Sequence, residues 1–340
     1  MTNSKLLNYG RHLIEQDDID EVVAILQSDL ITQGPMVEQF ESAIAKQVGA
    51  KFAIAITSGT AGLHIACLAA GINSNSYGLT SAMTFVASAN AMIYCGADVG
   101  LCDIDPNTLG ISPQSLKNSL IARPDTEIII PVHFAGLAAH SKDIRKISGD
   151  RIIVEDAAHA FGAKYPCGRP VGCGAYADMT VFSFHPVKPI TTGEGGAVVT
   201  NDPKLAHRLR TLRTHGIERS SDFLKCEELS FENGIKNPWY YEQQHLGFNY
   251  RMTDMQGAMG CTQMDKLSRI LERRRELAAR YDRLLAGLDW LRTPKVLPYS
   301  EHAYQAYVCL YAPEEPTMNQ WEKMHRERNA LMNYASERGV

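Results

Sequence analysis

The chain has 340 residues, 45% of them hydrophobic, with 26 glycines and a formal net charge of -4 from 34 basic and 38 acidic side chains. That is enough apolar chain to bury a large core, expected as one big domain with a smaller one beside it. The near-balanced charge offers no basic field for nucleic acid or an anionic membrane, so small molecules and a second copy of the chain are the expected partners. The eight cysteines are scattered without a CxxC pair, the pattern of free thiols in a reducing compartment. No ligand cluster accompanies Cys167 and Cys173, so no metal site is expected. The opening "MTNSKLLNYGRHLIEQDD" has no basic segment followed by an apolar one, and no apolar run approaches ~18 residues, so a cytoplasmic protein without a membrane span is expected.

Apolar spacing at Ile19, Val22, Val23 and Leu26 predicts a short amphipathic helix over 17–26. Gln33-Gly34-Pro35 breaks the pattern, and 37–48 reads as a second helix. Apolar, β-branched runs then give expected strands at 52–57, 78–83, 99–104, 127–132, 152–156, 179–184 and 197–200. Helical patterns at 59–70, 85–95, 112–122 and 141–148 separate most of them, a βαβ rhythm that implies a mainly parallel sheet covered on both faces. Only about a dozen Gly-, Thr- and Pro-rich residues lie between Phe184 and Ala197, too few for a helical crossover, so the seventh strand is expected antiparallel to the sixth. A basic helix over 202–214, a long polar loop over 216–244 containing "NPWYYEQQ", and a long helix over 252–285 lead into a smaller C-terminal region.

Three polar clusters fall at the C-terminal ends of expected strands, where open α/β sheets bind ligands. In "TSGTAGLH" (57–64) small residues open a helix whose free amides come from Gly59, Thr60 and Ala61. This is either a phosphate cradle or a plain turn capped by Ser58 or Thr60. In "VEDAAHAFGA" (154–163) Glu155 and Asp156 end an apolar run, where a carboxylate is either tied up by the backbone or works on a ligand. His159 reads equally as a core histidine or a functional one.

In "FSFHPVKPITTGEGG" (182–196) Lys188 follows a buried strand end, where lost hydration depresses an amine's pKa and leaves a nucleophile for a carbonyl. Taken alone it is equally a surface lysine with a buried stem. Together, the cradle, the carboxylate, the lysine and a hydroxyl at Ser183 are the parts a pyridoxal 5′-phosphate site needs. Lys188 would hold the aldehyde and shuttle a proton, and Asp156 would keep the pyridine nitrogen protonated. Ser183 with the 59–61 amides would anchor the phosphate, and a ring such as Phe85 would stack on the pyridine. No GxxxxGK[ST], GxSxG or HExxH is present, and "GEGG" at 193–196 lacks the spacing of a dinucleotide loop.

"SGTAGLHIA", "TFVASANAMIYCGA", "PVHFAG", "VEDAAHAFGA", "FSFHPVKPITTGEGGAVVTND" and "LGFNYRMTDMQGAMG" resemble, in order and spacing across 9–275, the DegT/DnrJ/StrS sugar aminotransferases. The resemblance implies the type I fold of pyridoxal phosphate enzymes, an α/β architecture with a seven-stranded, mainly parallel sheet and one antiparallel strand. It implies an N-terminal segment and helix at 1–36, a large cofactor domain at 37–251, and a linking helix with a smaller α+β domain at 252–340. Against the family pattern this last domain is short, stopping at Val340 before a further strand, a His-Tyr type loop and a final helix. A cofactor-binding but catalytically silent protein is therefore one alternative.

By the same resemblance Lys188 carries the cofactor, Asp156 partners the pyridine nitrogen and His159 lies beside the ring. Gly59, Thr60, Ala61 and Ser183 take the phosphate and Phe85 the ring face. Asn249 in "GFNYR" reaches the phosphate bound by the neighbouring subunit, which implies a homodimer with shared sites. His185, Tyr9 and Tyr241 are the candidates for touching substrate. Some relatives carry histidine where this chain has Lys188 and perform dehydration, so the lysine argues for amino transfer. Within the family, "NPWYYEQQHLGFNYRMTD" and "HPVKPITTGEGGAVVTND" are most similar to the transaminases of pseudaminic acid synthesis. This implies transfer from L-glutamate to C4 of a UDP-linked 4-keto-6-deoxy-N-acetylhexosamine. The product would be UDP-4-amino-4,6-dideoxy-N-acetyl-β-L-altrosamine, for surface or flagellar glycan. A dTDP- or GDP-linked keto sugar is the alternative substrate.

Overall fold

The computed structural model describes residues 10–312 and 320–339. One seven-stranded sheet, ordered β1-β7-β6-β5-β4-β2-β3, is built from β1 (Phe52–Ile56), β2 (Tyr77–Ser81), β3 (Asp98–Cys102), β4 (Thr126–Ile130), β5 (Ile152–Asp156), β6 (Met179–Ser183) and β7 (Gly196–Thr200). Each strand lies within one or two residues of its expected run. From β3 to β6 all neighbours pair in parallel. β7 is antiparallel to β6, as expected, and also to β1 on its other side, where Phe52 lies opposite Thr200.

The connecting helices are α1 (Gln16–Leu26), α2 (Pro35–Val48), α3 (Gly59–Ala69), α4 (Ala87–Ile93), α5 (Pro113–Ala122), α6 (Ser141–Ser148) and α7 (Pro203–Arg213). Proline opens α2, α5 and α7, where its fixed φ suits a first turn and its missing N–H costs nothing. α3 is apolar nearly all round because it is buried nearly all round, against the sheet and its neighbouring helices. The helix expected at 85–95 is shorter: α4 starts at Ala87, leaving Phe85 outside it.

The expected loop at 216–244 is not bare. β8 (Ile217–Glu218) pairs with β11 (Glu242–Gln243), and between them lie α8 (Glu227–Ser230) and the hairpin of β9 (Phe231–Glu232) with β10 (Ile235–Lys236). Glu242 closes this excursion by accepting from the amides of Cys226 and Lys225 and from the Gln244 and Tyr240 side chains. The Cys226 amide, followed by the other donors, holds its carboxyl down to about 2 against the opposing effect of desolvation.

α9 (Asp254–Leu285) opens with a capping box between Thr253 and Gln256. Beneath it the fully buried Asp18 of α1 meets Lys266 at 2.6 Å, Thr262 at 2.5 Å and Gln263 at 3.0 Å, so the N-terminal helix is fastened to the linking helix. Beyond it β12 (Leu291–Arg292) pairs antiparallel with β13 (Leu310–Tyr311), and α10 (Trp321–Glu337) follows. Among the described residues no helix is long and apolar enough to cross a membrane.

Candidate active site

Strand alternation decides which side chains reach the end of the sheet. On β6 Phe182, with Phe184 just beyond, turns to one face, where both meet Phe161 edge-on with centroids 5.0 and 5.5 Å apart. Val181 and Ser183 therefore face α3 on the other side, and a one-residue slip would put phenylalanine where Ser183 stands. A methyl group on Gly59 would lie 3.0 Å from Ser183 Cβ, and one on Gly196 would lie 2.7 Å from the Gly59 nitrogen. Only glycines let the first turn of α3 come this close to β6 and β7. Ser58 caps the helix, its Oγ accepting from the Ala61 amide at 3.1 Å. The Ala61 amide expected for a ligand is thus already engaged, while the amides of Gly59 and Thr60 have no hydrogen-bond partner among the described residues.

On β5 the two adjacent carboxylates separate to opposite faces. Glu155 is fully tied up: Tyr165 donates to it at 2.5 Å, Thr180 at 3.1 Å, and His133 Nε2 stands 3.2 Å away. Burial pushes its pKa up, but His133 and these donors outweigh burial and hold it below the usual range. Asp156, 6% exposed, faces α4 instead. Its Oδ2 accepts from Ser88 Oγ at 2.6 Å and its Oδ1 from the Ala158 amide at 3.1 Å. Thr84 Oγ1 lies 2.7 Å behind Ser88. Nothing in the pattern around Ser88 marks it except the i, i+4 spacing of the two hydroxyls.

His159 is half-buried, with its Nδ1 shielded from solvent and lacking any partner among the described residues. Burial first, and then the charge of Lys188, push its pKa down to about 4, so the ring is neutral near pH 7. Burial likewise lowers the pKa of Lys188, with the charge of Asp156 acting the other way. These mutual effects place Lys188, Asp156 and His159 in one electrostatic neighbourhood. The Lys188 amide donates to the His185 carbonyl at 2.8 Å, a tight turn. Two residues outside the expected site set hold that turn from outside: Gln305 donates to the Val187 carbonyl at 2.7 Å and Arg274 to the Lys188 carbonyl at 3.3 Å.

The remaining candidates within the described residues turn their side chains toward solvent. Phe85 is 71% exposed. His185 and Asn249 are exposed, Asn249 in a bridge to Thr214. Tyr241 lies under the Arg219 guanidinium, 4.7 Å from the ring centroid. Tyr9 falls outside the described residues, although the adjacent Gly10 packs so closely on Val187 that a methyl there would stand 3.0 Å from its Cβ.

The donor set fits pyridoxal 5′-phosphate. Two free helix N-terminal amides and a serine hydroxyl suit a phosphate, a buried donor-stabilised carboxylate suits a pyridinium, and an orphaned imidazole nitrogen lies near the lysine.

The model of the DegT/DnrJ/EryC1/StrS aminotransferase family matches residues 12–334. The chain is 37% identical over 304 residues to the spore coat polysaccharide biosynthesis protein SpsC of Bacillus subtilis, covering 89% of this chain and 75% of that protein. It is 35% identical over 312 residues to the UDP-4-amino-4,6-dideoxy-N-acetyl-beta-L-altrosamine transaminase of Campylobacter jejuni, covering 91% and 77%. Its fold matches that of Helicobacter pylori PseC, an aminotransferase involved in the biosynthesis of pseudoaminic acid, with TM-score 0.84 and 26% identity over 99% of this chain and 83% of that one. The chain belongs to the DegT/DnrJ/EryC1/StrS aminotransferase family, whose cofactor is pyridoxal 5′-phosphate.

Proposed function

We propose that the protein transfers an amino group from L-glutamate to C4 of a UDP-linked 4-keto-6-deoxy-N-acetylhexosamine, in the assembly of a surface glycan. The observation that carries this reading is the meeting of Lys188, Asp156 and His159 beside the Gly59–Ser183 cradle, in a chain 35% identical to a transaminase of that substrate class.

In this reading the amides of Gly59 and Thr60 and the Ser183 hydroxyl bind the phosphate. Asp156, oriented by the Ser88 hydroxyl and the Ala158 amide, holds a proton at the pyridine nitrogen. Bound pyridoxal phosphate supplies an electron sink for the pair left when a proton departs the substrate carbon. Lys188 moves that proton, a task suited to an amine whose pKa is lowered by burial. Neutral His159 offers its free Nδ1 to the cofactor or the substrate without adding a competing charge. Asn249, exposed in one copy, reaches the phosphate held by a second, so the working unit is a homodimer.

The test is a glutamate-dependent amination assay on a panel of UDP-, dTDP- and GDP-linked 4-keto sugars. Loss of the visible cofactor band on adding glutamate, and amine formation from the UDP sugar, are expected. A cofactor-loaded protein that does not respond to glutamate would overturn the reading. A second reading, a different nucleotide-linked keto sugar, stands beside it because the chain is also 37% identical to SpsC, a relative named for spore coat polysaccharide biosynthesis and not for the altrosamine sugar. Preference for the dTDP or GDP sugar would establish it.

A further inference from the structure

We infer that Arg274 and Gln305 are positioning residues that set the main chain of Lys188 for proton transfer; this rests on the reading of Lys188 as the reacting amine. The lysine stem has four flexible carbons, so the placement of its amine depends on how firmly its backbone is held. The loop that carries it has few means of holding itself. Pro186 and Pro189 flank the apex and contribute no N–H. The base of the loop is fastened well, because Thr191 Oγ1 and the Thr192 amide both donate to the Phe184 carbonyl at 3.0 Å. At the apex, among the described residues, the Lys188 amide bonds only back into its own turn, at the His185 carbonyl.

The apex carbonyls are taken up by groups far away in sequence. Arg274 of α9 donates Nη2 to the Lys188 carbonyl at 3.3 Å and the Val187 carbonyl at 3.5 Å, and Nη1 to the Tyr304 carbonyl at 2.9 Å. Its planar fork thus bridges the lysine loop and the segment around 304. Gln305, 7% exposed, donates Nε2 to the Val187 carbonyl at 2.7 Å and its own amide to the Ala135 carbonyl at 2.9 Å.

That second link leads back to the site. A methyl on Gly136 would stand 2.8 Å from the His159 carbonyl, so the segment anchored by Gln305 also presses on the turn bearing His159. Ala135 and Tyr304 meet here with φ of 56° and 47°, a left-handed conformation that non-glycine residues adopt only where surrounding bonds enforce it. One network therefore ties the lysine, the histidine and α9 together.

The test compares Arg274→Met, Arg274→Lys, Gln305→Leu and the Met/Leu double variant with Lys188→Ala. In both cofactor-free and loaded protein, amide exchange in the peptide spanning 184–192 should quicken by about tenfold in Arg274→Met and Gln305→Leu. The kcat of the glutamate half-reaction should fall by roughly 10- to 100-fold with KM changed less than about threefold. Arg274→Lys should recover part of the loss, and the double variant should lose less than the product of the single losses. Wild-type exchange and kcat in both single variants would overturn the inference, as would a raised KM with kcat preserved, which marks substrate contact instead. Failure of the underlying reading looks different: Lys188→Ala would then keep both the visible band and turnover. If Arg274→Met does not fold, Gln305→Leu, which removes one neutral donor, decides.

Discussion

Ser88 Oγ donates to Asp156 Oδ2 at 2.6 Å, joining two buried residues 68 positions apart. Since the single Ser88 proton goes to Asp156, Thr84 must donate into Ser88, and the three form a directed chain that ends on Asp156. Ser88→Ala leaves a buried carboxylate oxygen without its donor, at a cost of about 1–3 kcal/mol. Slow cofactor loss on dialysis, a lower melting temperature and about tenfold slower turnover are expected. Unchanged cofactor retention would show that Asp156 does not depend on Ser88.

Gly196→Ala should be destabilising by about 1–3 kcal/mol, because the new methyl meets backbone at the mouth of α3 and neither element can retreat without breaking strand pairing. Cofactor affinity should fall with it, as the Gly59 amide is pushed off line. Gly287→Ala, with nothing within 4 Å, is the control and should leave both melting temperature and affinity unchanged.

His302 is buried, and its Nδ1 accepts from the Tyr304 amide at 2.8 Å, a bond that protonation destroys. Burial, aided by Arg275, lowers its pKa to about 4. The folded state therefore refuses a proton that the unfolded chain accepts, so this contribution is intact above about pH 6.5 and is lost progressively toward pH 4, up to roughly 3 kcal/mol. His159 acts in the same direction over the same window. His302→Asn, which keeps an acceptor but cannot titrate, should flatten the fall in melting temperature between pH 6.5 and 4. An unaltered slope would assign that fall to other groups.

Glu242→Ala removes the acceptor on which the 217–243 excursion folds. Faster proteolysis and amide exchange confined to 217–243 are expected, with the melting temperature of the sheet domain little changed. Glu242→Gln keeps the acceptor without its charge and should restore most of the protection.

If Asn249 completes the site of a second copy, Lys188→Ala and Asn249→Ala proteins should each be impaired and should complement on mixing. Random pairing of equal amounts leaves one site in four intact, so recovery toward about 25% of wild-type turnover is expected. Absence of recovery after subunit exchange, followed by native mass, would place Asn249 within its own site.

The strands were readable because each is a short apolar, β-branched run closed by a turn, and the boundary of β5 at Asp156 and the reversal before β7 followed from local composition alone. The candidate groups at 59–60, 156, 159, 183 and 188 share that advantage, since they lie at strand ends. Ser88, Arg274 and Gln305 were not readable. Each acts through contacts with residues dozens of positions away, and a serine in a small-residue helix or an arginine in a run of three carries no local mark of those contacts. The order of the 216–244 segment is hidden for a related reason: it comes from two-residue strand pairs and a glutamate gathering backbone amides, which composition does not register.

β7 comes last of the seven strands in the chain, yet it enters between β1 and β6 and not at an edge. In the finished sheet those two strands stand two spacings of about 4.8 Å apart, a gap that only the segment ending at residue 200 fills. The walls formed by Gly59, Ser183 and Gly196 exist only after that insertion. The proposed phosphate cradle therefore does not exist until the sheet is complete, and a cofactor bound there would reward only the finished fold, never guide its first half.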